Sequence, residues 1–169
     1  DYNSSIVNLM SSISGGLGRK SEYPELKSLS SKEVGGYKNV VLLVIDGLGY
    51  EYLQKKDSFL TKNIRTKITS VFPPTTASAI TTFMTGTAPQ QHAYTGWYMH
   101  LKELGTVATI LPFCSRLGEP TFTNLNIKVK DILDVKCFTE QIKVSSYVIQ
   151  PKKIVNSAFS KANSIRAKK

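Results

Sequence analysis

Histidine is nearly absent from this 169-residue chain: His92 and His100 are the only two, and none follows them. Beyond His100 the only aspartates are Asp131 and Asp134, three apart on a mixed polar segment, where they read as solvated rather than ligating. A full set of metal ligands therefore cannot be drawn from the C-terminal part of the sequence. Cysteine is equally scarce. Cys114 and Cys137 have neither zinc-site spacing nor the pattern of a disulfide framework, and both read as free thiols. Long apolar runs are missing too. The longest, Val40 to Ile45, is strand-sized, far short of the roughly 18 residues of a membrane span. Acidic residues number 12 against 22 Lys and Arg, a net charge of +10. The basic residues are scattered, with short pairs such as Lys55-Lys56 and Lys152-Lys153 and no aromatic-interleaved stripe. That excludes a specific nucleic-acid surface and leaves a solvated basic face able to attract small anions.

What is present reads as one α/β domain over residues 1–169. Ile6, Leu9, Met10 and Ile13 recur at helical spacing, and Gly15-Gly16 reads as the stop. Gly15 to Lys20 superficially suggests a phosphate loop, but no strand precedes it and Walker spacing is lacking. The run Val40-Val41-Leu42-Leu43-Val44-Ile45 is what a strand buried on both faces looks like, which implies a parallel sheet. Helical character resumes over Tyr50 to Lys56. A second strand is expected over Lys67 to Phe72, a helix from Thr75-Thr76 to Gly86, and a further strand over Gly105 to Phe113. Residues 114–143, where neither period dominates, read as an insertion or irregular segment. Ser145 to Gln150 reads as a strand, and a final helix opens after Pro151. The expected fold is a mostly parallel sheet with flanking helices.

Two strand ends then point at one place. In open α/β sheets ligands gather at the carboxyl ends of the strands. The first strand ends in Asp46-Gly47, and a carboxylate is a hard oxygen ligand for a divalent cation. The second leads to Thr75-Thr76 at a helix start, where one of the pair is expected to cap the helix. A hydroxyl is a poor nucleophile at neutral pH unless a bound metal lowers its pKa. Unpaired N–H groups at a helix N-terminus favour an incoming phosphate. Asp46 as ligand and Thr76 as both ligand and nucleophile make a coherent site for covalent phosphoryl transfer.

Val44-Ile45-Asp46-Gly47, Phe72-Pro73-Pro74-Thr75-Thr76 and Met84-Thr85-Gly86-Thr87-Ala88-Pro89-Gln90-Gln91-His92 together resemble the type I phosphodiesterase/nucleotide pyrophosphatase family of the alkaline phosphatase superfamily. The resemblance covers about residues 39 to 97. It implies an alkaline-phosphatase-like core, two divalent ions (usually zinc) flanking the nucleophile, and a covalent threonine intermediate hydrolysed by water. The substrates it implies are phosphodiesters, nucleotide pyrophosphates and related small phosphate esters. Two positions depart from the family's pattern. Many members have asparagine three residues after the nucleophile, where Ala79 stands here, and the further Asp and His ligands of the family's C-terminal half are lacking. The chain thus reads as the incomplete, N-terminal part of a larger catalytic domain, whether a fragment, a truncated product or one piece of a split protein with a missing C-terminal half. By itself it is expected to bind at most one metal ion, weakly, and to be inactive. The alternative reading is a non-catalytic phosphate-binding or interaction module on the same scaffold. His92 is expected to pack rather than ligate, and His100 to lie on the surface.

Overall fold

The computed structural model describes residues 3–168. The chain opens with α1 (Ile6–Gly16), capped by Ser5, whose backbone N–H donates to the Asn8 Oδ1 at 2.9 Å. Ile6, Met10 and Ile13 are buried as their spacing predicts and Leu9 is half-buried, but Val7 and the polar Asn8, Ser11, Ser12 and Ser14 are buried too. Three of these polar groups hold the backbone that follows. Asn8 Nδ2 donates to the Pro24 carbonyl at 3.1 Å, Ser11 Oγ donates to the Tyr23 carbonyl at 2.6 Å, and the Leu26 N–H donates to Ser12 Oγ at 2.9 Å. A loop run over a helix must find partners for its peptide groups, and here the helix side chains supply them.

The loop leads into α2 (Ser31–Gly35), which lies against the end of α1. The glycine pair at the end of α1 does more than stop a helix. A Cβ on Gly16 would sit 2.6 Å from Val34 Cβ and 2.9 Å from the Gly35 nitrogen. The missing side chain is what lets the two helices approach.

Val40 to Ile45 does not form the expected strand. It joins no helix or sheet, and no backbone hydrogen bond involves residues 40–44 among the described residues. Val41 and Leu43 are 88% and 75% exposed, and the other four side chains lie between 39% and 48%. The segment leads through the Asp46-Gly47 turn to the short helices α3 (Tyr50–Leu53) and α4 (Phe59–Lys62). The expected second strand, Lys67 to Phe72, is reduced to a single parallel bridge between Ser5 and Thr69. There Ile6 N–H donates to the Thr69 carbonyl at 3.0 Å and Thr69 N–H to the Ser4 carbonyl at 2.9 Å. The segment entering α1 has taken the edge that a parallel neighbour would need.

The middle of the chain is built on α5 (Thr76–Thr85), which ends where Gly86 adopts a left-handed conformation (φ 71°) and donates to the Thr82 carbonyl at 2.8 Å. After α6 (Pro89–His92) comes an antiparallel meander of β1 (Tyr98–Leu101), β2 (Thr106–Thr109), β3 (Cys114–Ser115) and β4 (Gly118–Thr121). Tyr98 faces Thr109, Thr109 faces Cys114 and Cys114 faces Thr121. The helices and strands are mixed as expected, but this principal sheet is antiparallel, not mostly parallel. The reason is the brevity of the connections. Residues 102–105, 110–113 and 116–117 are too short for the crossover that parallel neighbours require.

Residues 114–143 include β3, β4, two 3-10 turns and α7 (Phe138–Gln141). They place Phe122, Val129 and Leu133 in the main core with Ala77, Tyr94, Ile110 and Phe159. The chain closes with β5 (Ser146–Tyr147), α8 (Lys152–Val155), α9 (Ala158–Ala162) and β6 (Ala167–Lys168), the last pairing parallel with β5. Among the described residues no helix is long and apolar enough to cross a membrane.

The approach of α1 to α2 generates a test. Gly16→Ala should destabilise the protein by about 1–3 kcal/mol, because overpacking outweighs the few tenths gained from alanine at a helix end. Gly49→Ala, where an added Cβ meets nothing within 4 Å and φ is −75°, should cost less than about 1 kcal/mol, the poorer N-cap of the short α3 being offset by a stiffer unfolded chain. Urea unfolding of the two variants checks the contrast, and equal stabilities would refute it.

Candidate active site

Thr75 and Thr76 play different parts. Thr75 has extended backbone (φ −104°, ψ 154°) and caps α5. Its Oγ1 accepts the Ser78 N–H at 3.3 Å and lies 3.0 Å from Ser78 Oγ. Its own N–H donates to the Pro73 carbonyl at 2.9 Å, just after a cis Phe72–Pro73 peptide bond. Thr76 is left as the first helical residue, half-buried, with no hydrogen-bond partner for its hydroxyl among the described residues. The backbone N–H groups of Thr76 and Ala77 also lack an acceptor there. An unengaged hydroxyl beside two unengaged donors and the positive end of a ten-residue helix suits a phosphoryl group.

The rest of α5 engages its hydroxyls inward. Thr81 Oγ1 donates to the Ala77 carbonyl and Thr85 Oγ1 to the Thr81 carbonyl, both at 2.7 Å. Thr82 Oγ1 lies 3.2 Å from His92 Nε2. His92 is a packing residue. Its Nδ1 accepts the Tyr94 N–H at 3.0 Å, so the neutral ring carries its proton on Nε2 and donates it to Thr82. Burial pushes the imidazole down to about 4, only partly offset by a hydrogen bond to the Ser78 backbone. Ala79, at the position where the family's pattern has asparagine, packs against Ile6, Val7, Val71 and Ala88 and presents no donor.

Asp46 is exposed, at a turn where Gly47 has φ 76°, and it makes no hydrogen bond or ion pair among the described residues. No hydrogen bond joins it to Thr76. The two divalent ions implied by the resemblance would need about six ligands in all. The described residues contain no group of three His, Cys, Asp or Glu side chains that could hold even one. The residues present therefore do not fit that metal pair. His100 is exposed on β1, and Asp131 and Asp134 are exposed, the Asp131 carboxylate accepting the Lys128 N–H at 2.8 Å. Cys114 and Cys137 are free thiols. The exposed Tyr98 ring carries the Arg116 guanidinium at 5.0 Å, and Trp97 is likewise exposed.

Sequence reasoning left open which threonine caps the helix. Ser78, three residues after Thr75, was the available signal, since a polar side chain at the third helical position pairs with the cap.

The buried imidazole makes stability depend on pH. Its ordinary value of 6.5 falls to about 4 in the folded protein, so between those values the unfolded chain binds more protons. Stability is full above about pH 6.5 and declines as pH falls toward 4. Wild type should lose on the order of 1–2 kcal/mol between pH 7 and pH 5 beyond what His92→Gln loses. Urea titrations of both proteins at the two pH values measure this, and a constant difference between them would mean that His92 titrates as in water.

Residues 40–111 match the sequence model of a family described as type I phosphodiesterase / nucleotide pyrophosphatase. A search among curated proteins and another among solved structures each found no match. The match spans the turn at Asp46, the helix start at Thr76 and the buried His92. That stretch, less than half of the chain, is similar to the type I phosphodiesterase / nucleotide pyrophosphatase family.

Proposed function

We propose that this chain holds the nucleophile-bearing part of a hydrolase of phosphodiesters or nucleotide pyrophosphates, with Thr76 as the attacking residue and Asp46 as a metal ligand. The observation that carries the reading is the state of the α5 hydroxyls. Thr75, Ser78, Thr81, Thr82 and Thr85 are all engaged, and Thr76 alone is free among the described residues. In this reading Thr76 Oγ1 attacks phosphorus, a threonine phosphoester forms, and the bond to the departing alcohol or nucleotide breaks. The hydroxyl proton passes to solvent water as the attack proceeds. Water then cleaves the threonine ester. The N–H groups of Thr76 and Ala77 stand ready for a non-bridging oxygen, a role that Ala79 cannot share.

Thr76 Oγ1 has no hydrogen bond to a carboxylate or imidazole among the described residues, and Asp46 alone cannot hold a metal ion well. Two divalent ions, zinc by family resemblance, belong to the complete enzyme, with the remaining ligands supplied from outside the described residues. On its own the 169-residue chain is then inactive and binds zinc weakly. The lack of a ligand cluster among the described residues also favours, for the chain alone, a non-catalytic phosphate-binding role on the same scaffold.

Two measurements test the reading. Calorimetric titration of the purified chain with zinc should show no sub-micromolar binding, and an aryl phosphodiester should not be turned over. Tight zinc binding with turnover abolished by Asp46→Ala would overturn the ligand argument. In a protein that carries this stretch together with the missing ligands, Thr76→Ala should remove hydrolysis by several orders of magnitude. Thr75→Ala should cost about 1 kcal/mol of stability and retain turnover. Undiminished turnover in Thr76→Ala would assign the attack to water or to Thr75.

A further inference from the structure

Arg19 is a fixed charge without a counter-charge. Its side chain is half-buried just past the end of α1, where Nη1 donates to the Thr85 carbonyl at 3.3 Å and the guanidinium carbon lies 5.9 Å from the centre of the Phe138 ring. Burial lowers its pKa, and the charge of Glu22 offsets this only in part. Among the described residues no carboxylate lies within ion-pair distance of it. A guanidinium cannot shed its charge, so taking it partly out of water favours an anion beside it. Its remaining N–H groups have no acceptor among the described residues.

Next to it is a cavity of about 290 Å³ between the end of α1 and the loop that follows, lined by Gly15, Gly18, Arg19, Lys20, Ser21 and Glu25 among others. Lys20 makes no ion pair, and the N–H groups of Lys20 and Ser21 have no acceptor among the described residues. The Ser21 hydroxyl accepts the Tyr23 N–H at 3.2 Å and keeps its own proton to donate. The carbonyls at the end of α1 would repel an anion, but Ile13, Ser14 and Gly15 already accept from Leu17, Arg19 and Gly18. Glu25 is the opposing charge on the wall, and its carboxylate accepts the Ser31 N–H at 2.7 Å. The volume falls just under the roughly 300–1,000 Å³ of sites for larger ligands, which suits a small ion with its waters better than a nucleotide.

We propose that this cavity binds a small tetrahedral oxyanion, free phosphate or the phosphoryl group of a small ester, held by the Arg19 fork, the Lys20 ammonium and the donors of Ser21. The inference does not rest on the phosphoryl-transfer reading, because Arg19 meets α5 at Thr85, the opposite end of that helix from Thr76.

Titration of the isotope-labelled full chain with inorganic phosphate at constant ionic strength tests it, followed by amide resonances, with glycerol phosphate and adenosine monophosphate in parallel. Phosphate should shift the Arg19, Lys20 and Ser21 resonances saturably. Lys20→Gln should weaken binding about fivefold and Arg19→Gln about tenfold. Glu25→Gln, which keeps an acceptor for Ser31, should tighten it. Lys55→Gln removes the same charge from an exposed position elsewhere and should change nothing. Arg19→Gln also gives up the Thr85 contact, so the exposed Lys20 supplies the variant that leaves the fold intact. Glycerol phosphate binding as well as phosphate assigns the site to small esters, and its exclusion assigns the site to the free ion. The absence of a saturable shift with phosphate overturns the proposal. So does equal weakening by Lys55→Gln and Lys20→Gln, which would leave net charge as the whole attraction. Adenosine monophosphate binding far more tightly than phosphate would also overturn it, since the base would then be the group recognised.

Discussion

Burying a helix lined with threonine requires an acceptor for each hydroxyl, and the middle of this protein is organised by that requirement. The Thr81 and Thr85 hydroxyls turn back to carbonyls one helical turn earlier, and Thr82 reaches His92. An unmade hydrogen bond at such a depth costs roughly 1–3 kcal/mol, more than most single contacts contribute. The position of α6 follows, because His92 must sit where its Nε2 meets Thr82 while its Nδ1 takes the Tyr94 N–H. Tyr94 in turn packs its ring against Phe159, which ties α9 into the same core. A helix interior satisfied in this way leaves the Thr76 hydroxyl, at the N-terminal end of α5, without a partner among the described residues.

The helices were largely legible in the sequence because their signals are local. Ser5 before an apolar period, Thr75 before α5 and Gly86 after it are cues that act within a few residues. The sheet was less legible. Six consecutive apolar residues record a demand for burial on two faces, but nothing in them records whether neighbours are present to meet it. In the folded chain Ser4 and Ile6 occupy the edge of Thr69, and Val40 to Ile45 stays bare. The antiparallel meander was foreshadowed only by the strand expected over Gly105 to Phe113, of which Thr106–Thr109 forms β2, since its hairpins depend on which short segments meet.

The candidate site divides along the same line. Thr76 could be placed because a helix start is a local feature, and the Ser78 side chain separates the capping threonine from the free one. Asp46 could be named as a carboxylate at the end of an apolar run. Its approach to Thr76, however, would depend on two segments pairing side by side, and such non-local geometry leaves no mark in either segment. The scarcity of histidine was readable from composition, and among the described residues no three His, Cys, Asp or Glu side chains are grouped to hold a metal ion.

The way α1 holds the loop after it bears on how freely that region can change. Asn8, Ser11 and Ser12 grip peptide groups of residues 23–26 rather than side chains. Any residue able to follow the same path offers the same carbonyl or N–H, so an exposed position such as Pro24 contributes its main chain and little else to the attachment. The helix has no such latitude, because each of its three polar side chains has a definite length and a definite target. Variation should therefore be tolerated at Pro24 and resisted at buried Leu26, at Tyr23, whose hydroxyl accepts the Ala88 N–H at 3.2 Å, and in the polar face that fastens the strap.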